Sequence, residues 1–191
     1  MSLVLIRHGK SVWNLENKFT GWYDIELAPE GILEAEKASA SLIENDFKPD
    51  VCFTSYLQRA NKTLEIILKH MPVKFIQNVE IKKSWKLNER HYGALQGLNK
   101  DDTKQKYGDE QFLEWRRSYN TPPPVLEEES PMNPRNDPIY KNENKNELPL
   151  TECLKDTYER VVPYWDNEIK PLVVEKNVLI AAHGNSLRAL C

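Results

Sequence analysis

The sequence predicts an α/β fold, a mostly parallel sheet flanked by helices on both faces. Leu3 to Ile6, Val51 to Thr54 and Val178 to Ala182 are short apolar runs without polar alternation, the pattern of strands covered on both sides. Helical patterns lie between them, which is the order of βαβ units. Two of the runs also end in the same way, with His-Gly at residues 8–9 and again at 183–184.

Taken along the chain, the first strand is followed by a helix opening near Pro29 that places Ile32, Ala35, Leu42 and Ile43 on one stripe. After the strand at 51–54, Ser55 is expected to cap a helix carrying Leu57, Ala60, Leu64, Ile67 and Leu68, with Arg59 in its first turns. Val73 to Gln77, following Pro72, reads as a further strand. Residues 101–119 read as two short helices broken at Gly108, with Phe112, Trp115 and Tyr119 on the apolar stripe of the second. Residues 120–147 carry six prolines and a polar run, a composition that favours disorder and is otherwise compatible with a lid or a surface insertion. Thr151 is expected to cap a last long helix that Pro163 should kink.

With 191 residues, of which 40% are hydrophobic and 29% charged, the chain has material for a real core, and residues 1–191 are expected to form one domain. A net charge of -3 supplies no global field to attract nucleic acid or acidic membrane, so any anion site must be local. No apolar run approaches the length that spans a bilayer, and no export signal is visible. Three scattered cysteines without a Cys-x-x-Cys pair fit a reducing, cytoplasmic setting.

The repeated His-Gly motif carries the chemistry. Ligands of open α/β sheets bind beyond the carboxyl ends of the strands, so His8 and His183 are delivered to that edge, together with Arg7 and Arg59. Glycine after each His permits tight turns and a close approach of backbone N–H groups to an anion. Two imidazoles and two guanidinium groups suggest a phosphoryl group. A metal is not expected, because the arginines repel a cation and no carboxylate adjoins either His-Gly. No glycine-rich loop for ATP or NAD appears.

Arg7-His8-Gly9, Trp13-Asn14, Phe19-Thr20-Gly21-Trp22, the block from Leu87 to Lys100, Trp115-Arg116-Arg117 and the block from Ala181 to Leu190 together resemble the 2,3-bisphosphoglycerate-dependent phosphoglycerate mutases of the histidine phosphatase superfamily. The resemblance runs through nearly the whole chain in the family's order. It implies that His8 is a nucleophile carrying a phosphoryl group between the 2- and 3-positions of glycerate, primed by 2,3-bisphosphoglycerate. Arg7, Arg59, His183 and Asn14 would stabilise the transferring oxygens, His183 adding its charge if protonated. Glu89 resembles the acid/base, a role best filled by a group titrating near neutrality. Ser11, Thr20, Gly21, Arg90, Tyr92, Lys100, Arg116, Arg117, Gly184 and Asn185 resemble substrate contacts. The resemblance also implies phosphoglycerates as partners and a homodimer or homotetramer.

Lys10 stands where the family usually carries Glu, and surface exposure is its expected fate. The family continues well past the Leu187 to Leu190 stretch, so a fragment truncated at the C-terminus is expected. Two alternatives stay open: a histidine phosphatase that hydrolyses the phosphohistidine, and a catalytically impaired phosphate-binding fragment.

Overall fold

A computed structural model describes residues 1–191. Four strands, β1 (Leu3–Arg7), β2 (Val51–Thr54), β3 (Glu80–Lys83) and β4 (Val178–Ala182), pair in parallel in the order β1-β4-β2-β3. The central strands β2 and β4 are wholly buried, which explains their unbroken apolar sequences.

Side chains of β2 and β4 alternate between two cores. Cys52, Leu179 and Ala181 meet Leu64, Ile67 and Leu68 of α3 (Gln58–His70) and Leu42 of α2 (Pro29–Glu44). On the opposite face, Val51, Phe53, Val178, Ile180 and Ala182 pack against Leu87, Ile169 and Leu187. Burial of whole aliphatic side chains contributes about 1.5–3 kcal/mol each, so these two clusters dominate the stability of the sheet.

Several local expectations change. In α2 the buried stripe is Gly31, Ala35, Ser39 and Leu42, while Ile32 is exposed. Close approach explains the shift, because a Cβ on Gly31 would stand 2.1 Å from the Lys10 carbonyl. Ser55 does not cap α3, whose N-cap is Leu57 without a side-chain bond; the Ser55 hydroxyl turns inward to the site. Val73 to Gln77 is not a strand: Val73–Ile76 forms a helical turn that buries Phe75, opened by Pro72 at φ -55°. The fourth strand is instead the polar Glu80–Lys83 at the sheet edge, where only one neighbour needs pairing and no apolar run is required.

α5 (Lys100–Tyr107) and α6 (Asp109–Arg117) break at Gly108 as expected, since φ +83° there suits glycine. Tyr119 lies beyond α6 and is exposed. Residues 120–147 are ordered by three short 3₁₀ turns, and Tyr140 and the neighbouring Leu148 pack against Trp22 and Trp85. Disorder therefore does not describe them. Cys153, not Thr151, caps α7 (Leu154–Tyr164). Pro163 lies within α7, and a π-helical turn, Trp165–Ile169, follows before Lys170–Val173. No helix is long and apolar enough to cross a membrane.

Candidate active site

Adjacent, in-register strands bring the two His-Gly motifs together. Arg7 faces Ala182 across the β1–β4 ladder, and the next residue along each strand is the histidine. The His8 N–H donates to the Ala182 carbonyl at 2.9 Å, and the rings of His8 and His183 stand 4.9 Å apart. His8 Nδ1 lies 2.6 Å from the Gly9 carbonyl. A carbonyl only accepts, so Nδ1 carries the proton and Nε2 keeps a lone pair.

Burial and the charge of Arg59 hold the His8 pKa down at about 3. The imidazole is therefore neutral at pH 7, the form that can attack phosphorus. Arg59 is itself buried; its Nε–H points to His8 Nε2 at 3.4 Å, and its terminal nitrogens donate to the Gly21 and Tyr23 carbonyls. Burial lowers its pKa to about 10, which leaves it fully charged at neutral pH.

Glu89 faces this group from the loop after β3. Its Oε1 accepts from the N–H groups of Arg90 (2.8 Å) and Asn185 (3.2 Å), which ties it to the segment carrying His183. Around His8 opens a cavity of about 410 Å³ lined by seven cationic side chains, those of Arg7, Lys18, Arg59, Lys100, Arg116, Arg117 and Arg188, against one carboxylate, Glu89. Asn14, Thr20, Gly21, Tyr92, Gly184 and Asn185 complete most of the wall. Such a concentration of fixed positive charge suits a ligand with several anionic groups.

The sequence pattern of the histidine phosphatase superfamily (branch 1) matches residues 3–138. The chain is 55% identical over 189 residues to a 2,3-bisphosphoglycerate-dependent phosphoglycerate mutase of Borreliella burgdorferi (strain ZS7), covering 98% of this chain and 75% of that relative. This chain belongs to the histidine phosphatase superfamily. Two solved members of the same fold are similar in structure. Bacillus stearothermophilus YhfR aligns with a TM-score of 0.71 at 22% identity, over 98% of this chain and 76% of that one. A mycobacterial hydrolase aligns with a TM-score of 0.70 at 22% identity, over 98% and 75%.

Within this histidine phosphatase site, three sequence-predicted residues do not line the cavity. Ser11 is buried as the N-cap of α1 (Val12–Leu15), where its hydroxyl accepts from the Asn14 N–H and the Asn14 side chain accepts from the Ser11 N–H. Arg90 is buried behind the wall and donates to the carbonyls of Trp115 and Arg116, so it holds the end of α6 that carries Arg116 and Arg117. His183 is buried beside His8 with its Nε2 2.7 Å from Ser55 Oγ. Burial, then Arg59 and His8, push its pKa well below the usual value, so its surroundings disfavour the protonated form that would add charge to the site.

Gly9 serves packing and not the anion binding expected of it, since it lies outside the cavity wall. Its N–H donates to Thr63 Oγ1, and a Cβ there would stand 2.2 Å from the Gly31 carbonyl, so glycine lets α2 close on the nucleophile loop. Lys10 is exposed and lies outside the cavity, as its surface reading required. Lys18 and Arg188 line the site without having been singled out. Arg188 was readable as the cation one turn beyond His183-Gly184, whereas nothing local marks Lys18. Residues 120–147 contribute nothing to the cavity wall.

Proposed function

We propose that this protein interconverts 2- and 3-phosphoglycerate by moving a phosphoryl group through a phosphohistidine on His8. The single observation carrying the reading is the His8 tautomer: Nδ1 is committed to the Gly9 carbonyl, and Nε2 faces Arg59, which with His8 lines the cationic cavity. In one half-reaction the P–O bond to glycerate breaks as P–Nε2 forms, and a protonated Glu89 gives its proton to the leaving oxygen. In the other, the second hydroxyl attacks phosphorus, P–Nε2 breaks, and Glu89 takes the hydroxyl proton. Arg7 and Arg59 counter the charge spread over the transferring oxygens. Lys100, Arg116 and Arg117 hold the far anionic groups of the substrate.

The same cations fit 2,3-bisphosphoglycerate, whose two phosphates and carboxylate match a wall with one opposing carboxylate. When bound it supplies the phosphoryl group that first loads His8. The relative's name and the intact Glu89 block support a mutase over a phosphatase. The test is to incubate the protein with 2,3-bisphosphoglycerate, locate the phosphoryl by mass spectrometry, and follow isomerisation of 3-phosphoglycerate against release of free phosphate. Label on His8 with isomerisation is expected. Stable label on another residue, or phosphate release without isomerisation, overturns the reading.

A further inference from the structure

The loop that carries Glu89 belongs to neither helix nor sheet, so its backbone groups need partners from elsewhere. Three of its backbone carbonyls and one N–H find them in one buried ion pair. Arg160 of α7 and Glu152 meet at 2.6 Å and 3.0 Å, with side chains only 7% and 3% exposed. The Arg160 guanidinium donates to the carbonyls of Lys86 (2.8 Å), Asn88 (3.0 Å) and Glu89 (2.8 Å). Glu152 accepts the His91 N–H at 2.8 Å, and its own N–H donates to the His91 carbonyl. The Glu89 carbonyl also accepts from the Trp22 indole N–H.

We propose that Arg160 and Glu152 are positioning residues that act on the reaction through Glu89, by clamping the backbone from Lys86 to His91. The inference rests on the acid/base role given to Glu89 above. Neither residue lines the active-site cavity, so neither touches substrate. Arg160 instead forms part of the wall of two outer cavities, of about 410 Å³ and about 270 Å³, on the far side of the loop. A hole left by truncating Arg160 is thus reachable from solvent by a small cation. Only a planar guanidinium can reach three carbonyls and a carboxylate at once, and a lysine ammonium cannot replace that fork.

The experiment compares the full chain with Arg160→Ala and Glu152→Gln. In folded Arg160→Ala, kcat for phosphoglycerate isomerisation should fall about 10- to 100-fold, the cost of a small misplacement of a reacting group, while KM stays near the parent's. Added guanidinium, and not methylammonium, should restore kcat saturably, and amide exchange over 86–91 should quicken. Parental kcat in the folded variant, or a loss that guanidinium does not repair, overturns the clamp. Should Arg160→Ala fail to fold, Glu152→Gln decides by the same kcat-against-KM split, and parental kcat overturns the clamp there too. Fast exchange of the His91 amide in the parent protein would refute it without any variant. That exchange reading is independent of isomerisation, so a parent inactive on phosphoglycerates removes the proposed function and not the clamp.

Discussion

Arg59 Nε lies 3.4 Å from His8 Nε2 while the rest of its guanidinium is tied to the carbonyls of Gly21 at 2.7 Å and Tyr23 at 3.0 Å. One buried side chain thus sets the charge beside the nucleophilic nitrogen and anchors the Gly21 loop of the cavity wall. Arg59→Lys keeps the charge and loses the fork. Since a single lost donor to a developing anion typically costs about 100-fold or more, kcat should fall by about that factor. Steady-state assays of isomerisation check this, and a lysine variant within two- or three-fold of the parent would show that charge alone suffices.

Glu89→Gln retains the shape that accepts the Arg90 and Asn185 N–H groups but cannot exchange a proton. Turnover should drop by roughly 100-fold or more, the usual worth of a positioned acid/base, with little change in melting temperature. Rapid-quench assays with 2,3-bisphosphoglycerate locate the defect. Undiminished turnover in the glutamine variant would remove Glu89 from proton transfer.

His8, His91 and His183 are all buried, and burial first, then nearby arginines, holds each pKa below 6.5, to about 3 for His8 and His91. The folded state therefore binds fewer protons than the unfolded chain once the pH falls below 6.5. Stability from these groups is present above that pH and is lost as the pH drops toward 3, by at most about 1.4 kcal/mol per pH unit for each histidine. Chemical denaturation between pH 7 and pH 4 measures the slope. His91→Gln, at a position outside the cavity wall, should flatten it; an unchanged slope would mean that His91 does not contribute.

With seven cations around the cavity, affinity for 2,3-bisphosphoglycerate should weaken steeply as salt rises. Lys18→Ala and Arg188→Ala should each weaken binding and reduce the salt dependence while leaving the melting temperature near the parent's. Calorimetric titration at several salt concentrations reads both quantities. A dissociation constant indifferent to salt would contradict the cationic cavity.

Chemistry and periodicity were legible in the chain itself. The runs at Val51 and Val178 mark strands because full burial demands unbroken apolar sequence; the run at Leu3 is only partly buried, at the sheet edge beside β4, and His-Gly after it and after the Val178 run marks the reactive edge. Arg7 and Arg59 were named from the strand ends, Glu89, Lys100, Arg116 and Arg117 from the family resemblance, and all six reach one cavity. Tertiary structure alone decided which residues face it. Ser11 and Arg90 have chemistry suited to a ligand, yet one caps α1 and the other holds the end of α6, since a side chain's target depends on what folding brings beside it. The edge strand Glu80–Lys83 was invisible because an edge needs no apolar run. Residues 120–147 look disordered in composition, but Tyr140 stacks on Trp22 and accepts a bond from Asn88, partners distant in sequence. Local sequence specifies what a residue can do; contacts between distant segments, paid for by burial of surface that no short window reveals, specify to what it does it.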